Sequence, residues 1–358
     1  MRIVYVIERL SGTGGLQRIL TEKMNYLAEH TAHEVVLMTV WHDDRALPYT
    51  ISPQVRRIRL NVPPTLLALP IAISRFNRYI KRANPDVTIF FRAVGALLAG
   101  CTTWKGKKIF ETHSAFQHSN HTWLYPRMMR KVDAVVCLTQ GDKANYHAAR
   151  RVEVIPNFTT MQCAEAAPLT LKRCIAVGRL CKEKDFGRLI RLWGIIRHER
   201  PGWTLDIYGD GEERDSLQRQ VTALGLTGSV TLHGNTSDVK AEYIKSSMLL
   251  MTSRTEGMPM TIIESMTCGV PVVAFDCPYG PSDLIRDGEN GYLIPYDDDK
   301  MFVSRVVSLM DDEKMSQPHY FLLQYHYFFR IQNILQFHIQ YYLNLFYMLN
   351  FVHFFLLE

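Results

Sequence analysis

Met248-Leu249-Leu250-Met251-Thr252-Ser253-Arg254-Thr255-Glu256-Gly257-Met258-Pro259-Met260-Thr261-Ile262-Ile263-Glu264 runs on through Ser265-Met266-Thr267-Cys268-Gly269 to Val270-Pro271-Val272-Val273. It reads as a strand, a Gly/Pro loop, a short helix, a glycine stop and a second strand. Pro259 falls near the first helical turn and Gly269 just past the last, the usual asymmetry of helix ends. Such a loop directs backbone N–H groups and the positive end of the helix dipole outward, which favours an anion such as a diphosphate.

Working outward, the same alternation fills the chain. Residues 3–7, 34–40, 86–90, 108–111 and 134–138 are short apolar runs, and 16–30 carries a helical pattern between the first two. Further strands are expected at 174–177, 204–208, 230–232 and 270–275. This is the pattern of two parallel sheets wrapped by helices, an α/β chain of two doubly wound, Rossmann-like units. Between them, 158–168 loses periodicity and collects Thr, Ala and Pro, as a linker does. We expect a first domain over 1–165 and a second over 166–316, facing one another across a cleft where ligands of open α/β sheets bind.

Composition supports ordinary globular domains, with 47% hydrophobic and 21% charged residues in 358. Residues 1–165 carry 22 Lys/Arg against 12 Asp/Glu, while 166–358 carry 19 against 23. The basic first half suits an anionic membrane surface; no recognition helix, zinc finger or aromatic RNA motif accompanies it, so nucleic acid is not expected. Seven cysteines without a C-x-x-C pair suggest neither a zinc site nor a disulfide framework, and a reducing cytoplasm fits. The N-terminal apolar run is too short for a signal peptide and reads as a buried strand. From about Gln317 the composition turns abruptly aromatic and apolar, with only Arg330 and Glu358 charged; a reading-frame shift or a membrane-associating segment would each produce it.

Glu256 precedes the helix and Glu264 lies within it, so the two carboxylates address different parts of an extended ligand. Carboxylates grip sugar hydroxyls well, and a nucleotide sugar is such a ligand. Taken alone, Glu264 reads better as a surface helix residue and Glu256 as a dipole partner. A second signal, Val177-Gly178-Arg179-Leu180-Cys181-Lys182-Glu183-Lys184-Asp185, follows a strand. Its Arg179 and Lys184 would neutralise a departing diphosphate; the alternative is a solvated loop whose lysines pair with Glu183 or Asp185.

In this order the motifs resemble those of the retaining GT-B glycosyltransferases of family 4, over roughly residues 1–315. The resemblance implies that Arg179 and Lys184 bind the donor diphosphate, that Glu256 contacts the donor sugar and that Glu264 holds the ribose. It also implies that Met258, Pro259 and Met260 lend backbone groups to phosphates and sugar. Ser11-Gly12-Thr13-Gly14-Gly15-Leu16-Gln17-Arg18 resembles the family's N-terminal loop, in which Gly14 and Gly15 let the backbone approach the reacting centre. Because it is not G-x-G-x-x-G, a dinucleotide oxidoreductase is disfavoured. Tyr208-Gly209-Asp210-Gly211-Glu212 matches the glycine-rich turn, 281–285 the late loop, and His113 the active-site histidine beside the sugar.

The resemblance implies transfer of a hexosyl group from a nucleotide-diphosphate sugar to a saccharide or lipid-linked acceptor, with retained configuration. It further implies no protein nucleophile, no cofactor and no metal, in cell-surface polysaccharide or lipopolysaccharide synthesis at the cytoplasmic side. Residues 66–82 combine Leu66, Leu67, Leu69, Ile71 and Ile73 with Arg75, Arg78, Lys81 and Arg82, either a basic amphipathic membrane contact or an ordinary surface helix. Two other readings are a GT-B-fold protein impaired by its altered C-terminus and a GT-B epimerase or phosphorylase.

Overall fold

The computed structural model describes residues 1–311 apart from 13, 114, 115, 117–121, 164 and 165. The aromatic tail therefore lies outside the described residues. The chain divides into two units, the first built from Met1–Asn157 and the second beginning at Phe158.

In the first unit the order is β1 (Arg2–Ile7), α1 (Gly15–His30), β2 (Glu34–Trp41), β3 (Arg56–Val62), α2 (Leu69–Ala83), β4 (Val87–Phe91) and α3 (Arg92–Cys101). It continues with β5 (Lys107–Glu111), α4 (Tyr125–Met129), β6 (Ala134–Cys137), α5 (Gln140–Lys143) and β7 (Val152–Val154). The strands form one sheet in the order β3-β2-β1-β4-β5-β6-β7, and every pairing is parallel. Strands buried on both faces must be apolar throughout, and 3–7 and 87–91 are fully buried. The sequence reading passed over β3 because it is an edge strand: Arg56, Arg57 and Arg59 are exposed, while Leu60 and Val62 are buried in the core and Ile58 packs partly against it.

The second unit runs β8 (Arg173–Val177), α6 (Phe186–Glu199), β9 (Thr204–Tyr208), α7 (Arg214–Ala223), β10 (Val230–Gly234), α8 (Val239–Ile244) and β11 (Met248–Met251). It ends with α9 (Met260–Thr267), β12 (Val272–Asp276), α10 (Pro281–Leu284), β13 (Gly291–Pro295) and α11 (Asp299–Asp311). The sheet order is β10-β9-β8-β11-β12-β13, again parallel throughout. α6 buries Phe186, Leu189, Ile190, Trp193 and Ile196, a 3.6-residue stripe, against Leu205, Ile207 and Leu250 of the sheet. α11 closes this layer with Phe302 stacked on Phe275 at 4.8 Å.

The chain thus changes units at Asn157/Phe158. Cys163 packs its sulfur 2.8 Å from that of Cys268, and Ala167 donates its N–H to the Cys268 carbonyl at 2.8 Å. These contacts hold the segment on the second unit. Among the described residues no helix is long and apolar enough to cross a membrane.

Candidate functional site

In the second unit the strand order reverses between β8 and β11, so the connections leaving their carboxyl ends diverge and open a crevice, the place where open α/β sheets bind ligands. Both chemical motifs leave from these two strands. Arg179 and Lys184 lie on the loop after β8, Glu256, Met258 and Pro259 on the loop after β11, and Met260 opens α9.

The loops are fastened to each other. Lys184 Nζ donates to Glu256 Oε1 at 2.6 Å, and the Arg254 N–H donates to the Glu183 carbonyl at 2.8 Å. Arg254 Nε donates to Asp185 Oδ2 at 2.9 Å, and the Thr252 hydroxyl to the Asp185 carbonyl at 3.0 Å. The expected alternative, Lys184 solvated beside Glu183 or Asp185, gives way to a charge-assisted bond between two elements distant in sequence. Asp185 has a left-handed backbone, φ 48°, and caps α6 by accepting the Arg188 N–H. A non-glycine residue held there is over-determined by its surroundings, as functional loops often are. Sequence reasoning gave Asp185 only a place as a partner of the loop lysines and assigned nothing to Arg254.

The glycine-rich turn supports this loop from below. The Gly178 N–H donates to the Tyr208 carbonyl at 2.9 Å and the Leu180 N–H to the Asp210 carbonyl at 3.0 Å. A Cβ on Gly209, whose φ is 133°, would lie 1.8 Å from the Gly178 carbonyl oxygen, and one on Gly211 2.4 Å from that of Leu180. Only glycine allows backbone to meet backbone there, so the turn fixes the course of the Arg179 loop. Arg179 itself is exposed.

Gly280, φ 96°, does the same for the other loop. A Cβ there would lie 2.5 Å from Pro259 Cδ, and the Glu256 N–H donates to the Pro278 carbonyl at 3.1 Å. Burial next to Glu256 pushes the Cys277 thiol up to about 12, so it is uncharged beside the site. Pro259, expected among the backbone donors, has no N–H; it is the N-cap of α9 and restricts the loop instead. Gly269 adopts φ 73° just past the helix.

Glu264 is 3% exposed and accepts the Tyr243 hydroxyl at 3.4 Å, which removes the surface-helix alternative. A buried carboxylate needs partners of this kind. Asp297-Asp298-Asp299 has Asp-x-Asp spacing, a pattern the expectation of a metal-free site passed over. In the structure Asp297 and Asp299 pair with Arg188 at 3.3 and 2.6 Å, and Asp298 accepts the Met301 N–H in the first turn of α11.

In the first unit, Gly14 is the N-cap of α1 with ordinary extended geometry, and a Cβ on Gly15 would meet nothing within 4 Å. Neither glycine is demanded by the turn itself. His113 follows the end of β5, its side chain 6% exposed, with Nε2 3.5 Å from Glu111 Oε1 and Nδ1 buried without a hydrogen-bond partner. Behind it Lys23 Nζ donates to both oxygens of Glu111, at 2.6 and 2.9 Å, with both side chains at most 2% exposed. Burial lowers the Lys23 ammonium and Glu111 opposes that shift. The signal for this pair was available: Lys23 falls in phase with Ile19, Leu20, Met24 and Leu27 on the apolar face of α1.

The family described as glycosyltransferase family 4 matches residues 13–161, and that described as glycosyl transferases group 1 matches 159–319. The amylovoran biosynthesis glycosyltransferase AmsD of Erwinia amylovora is 27% identical over 88% of this chain and 91% of its own length. Among solved structures, the lipopolysaccharide outer core galactosyltransferase WaaB superposes with a TM-score of 0.78 at 20% identity, covering 97% of this chain and 99% of that one. Anabaena HepE in complex with UDP and glucose gives 0.75 at 17%, covering 95% and 98%. Sheet order, motif order and both family matches converge: this chain belongs to glycosyltransferase family 4 and has the GT-B fold.

Proposed function

We propose that the chain transfers a hexosyl group from a nucleotide-diphosphate sugar, with retained configuration, to a saccharide or lipid-linked saccharide acceptor during synthesis of a cell-surface polysaccharide or lipopolysaccharide. The observation that carries this is the meeting of Lys184 and Glu256 at the switch point of the second sheet, in front of α9. The names of AmsD and WaaB support the product class, and the UDP and glucose of HepE support the donor class.

The ion pair is the resting state of the site. An arriving diphosphate takes Lys184 and Arg179 as counter-ions and frees Glu256 to accept sugar hydroxyls, while Glu264 accepts from the ribose. The cations stabilise charge on the leaving diphosphate, most strongly as the glycosidic bond breaks, and a donor phosphate oxygen takes the acceptor proton. The chain then needs neither a nucleophile nor a metal of its own. Gly14, Gly15 and His113 belong to the acceptor side in the first unit, where His113 orients a hydroxyl.

A thermal-shift panel of nucleotide sugars identifies the donor, since a ligand bound only by the folded chain raises its Tm. Proton NMR of the product then reads the anomeric centre. The expected outcome is one nucleotide series that stabilises the protein, a product with the donor's configuration, and undiminished turnover in chelator. An inverted product overturns retention, and loss of turnover restored by a divalent ion overturns metal independence.

A further inference from the structure

A second concentration of charge lies far in sequence from the donor motifs. Arg59, Arg75, Arg78 and Arg82 surround a pocket of about 420 Å³ at the open edge of the first sheet, with Asn61 and Tyr79 completing its wall and no carboxylate in its lining. Some arginines nearby have acidic partners: Arg2 and Arg56 share Glu34, and Arg45 binds Asp43. Arg59, Arg78 and Arg82 have none among the described residues. Arg75 is fixed by donating to the Leu60 and Asn61 carbonyls, the latter at 2.9 Å.

Four guanidinium groups around one cavity repel one another, and an anion offsets that cost. The planar fork of Arg matches a phosphate bidentately. What carries the phosphate is indicated by the same element. Ala72, Phe76 and Ile80 are the buried face of α2, and Ile71, Arg75, Arg78 and Arg82 follow one another along its outer face. At the N-terminal end of that stripe Leu66 is 77%, Leu67 92% and Ile71 48% exposed. A free phosphate would make no use of three adjoining apolar side chains. A bilayer surface uses both, since apolar groups enter the acyl boundary while cations meet anionic headgroups.

We propose that residues 66–82 together with Arg59 form a membrane-docking site that inserts Leu66, Leu67 and Ile71 and holds a lipid phosphate among the four arginines. It deepens, and for its purpose rests on, the reading that the acceptor is borne by a lipid. The site lies on the first unit's edge and takes no part in donor chemistry.

The test is co-sedimentation of the full chain with phosphatidylcholine vesicles, with and without phosphatidylglycerol, at low and high salt. The expected result is binding that requires phosphatidylglycerol and weakens with salt. The double variant Arg78→Gln/Arg82→Gln should partition about 30-fold more weakly, from roughly fivefold for each basic residue. Leu67→Ser/Ile71→Ser should lose about tenfold and keep the salt dependence. Arg219→Gln, an exposed arginine of the second unit, should bind as the parent does.

Absence of binding to phosphatidylglycerol vesicles, parental binding by both double variants, or equal loss in Arg219→Gln would each overturn the proposal. Inorganic phosphate alone, raising the Tm of the parent but not of Arg78→Gln/Arg82→Gln, would overturn the lipid as occupant if vesicles failed to bind. Unfolding curves of each variant report its fold. Nucleotide-induced Tm shifts on the same samples separate the two readings: vesicle binding without nucleotide binding removes the donor site, and the reverse removes only the docking site.

Discussion

Glu111→Gln leaves the buried Lys23 ammonium without its counter-charge. The pair is bidentate, at 2.6 and 2.9 Å, and water reaches neither side chain. Breaking a buried pair from one side costs about 3–5 kcal/mol, because the remaining charge must be desolvated alone or lose its proton. For a domain of this size that corresponds to a fall in Tm of roughly 6–20 °C. Lys23→Met should cost somewhat less, since it leaves Glu111 with His113 at 3.5 Å as a possible partner. The double variant Lys23→Met/Glu111→Gln removes both charges and should recover most of the loss, as replacement of a whole buried pair is often neutral or better. Urea unfolding of the four proteins completes the cycle. A cost below about 1 kcal/mol for Glu111→Gln, or a double variant as unstable as the sum of the singles, would refute the reasoning.

Gly209→Ala places a Cβ against the Gly178 carbonyl at a φ that side chains rarely adopt. It should cost about 2–5 kcal/mol from strain and overpacking, and weaken nucleotide affinity by moving the Arg179 loop; calorimetric unfolding and titration check the two effects. The Tyr208 hydroxyl first, and then Arg173, hold the Glu242 carboxyl below its usual 4.5. A depressed carboxylate stabilises the fold above its unfolded pKa and loses that contribution as pH falls through the folded value. The Tm gap between the parent and Glu242→Gln should therefore be open at neutral pH and close below 4.5; a gap that widens on acidification contradicts the assignment.

Much of the fold was legible because parallel strands buried on both faces are written as short apolar runs, as in 3–7 and 248–251. β3 hid behind its outward arginines. β7 is only three residues long, and β13 begins directly at Gly291. At the site, the residue types were legible and their pairing was not. Lys184 and Glu256 are brought together by the parallel pairing of β8 with β11, which periodicity cannot show but the switch-point rule for α/β sheets predicts. The left-handed Asp185 and the approach of Gly280 to Pro259 leave no local pattern at all. The arginine pocket was half visible, since α2 showed its charges while Arg59 arrives from the strand that went unread.

In the proposed function Glu256 meets the donor sugar and is held ready by Lys184. Turnover of the donor identified by thermal shift, measured for the parent and for Glu256→Ala after both are shown to be folded, tests it most directly. We predict a loss of at least about 100-fold, the scale of removing one well-placed polar group from a transition state, with nucleotide diphosphate still bound. Turnover within about twofold of the parent would contradict the account, because no change in transition-state binding would then follow from losing that carboxylate.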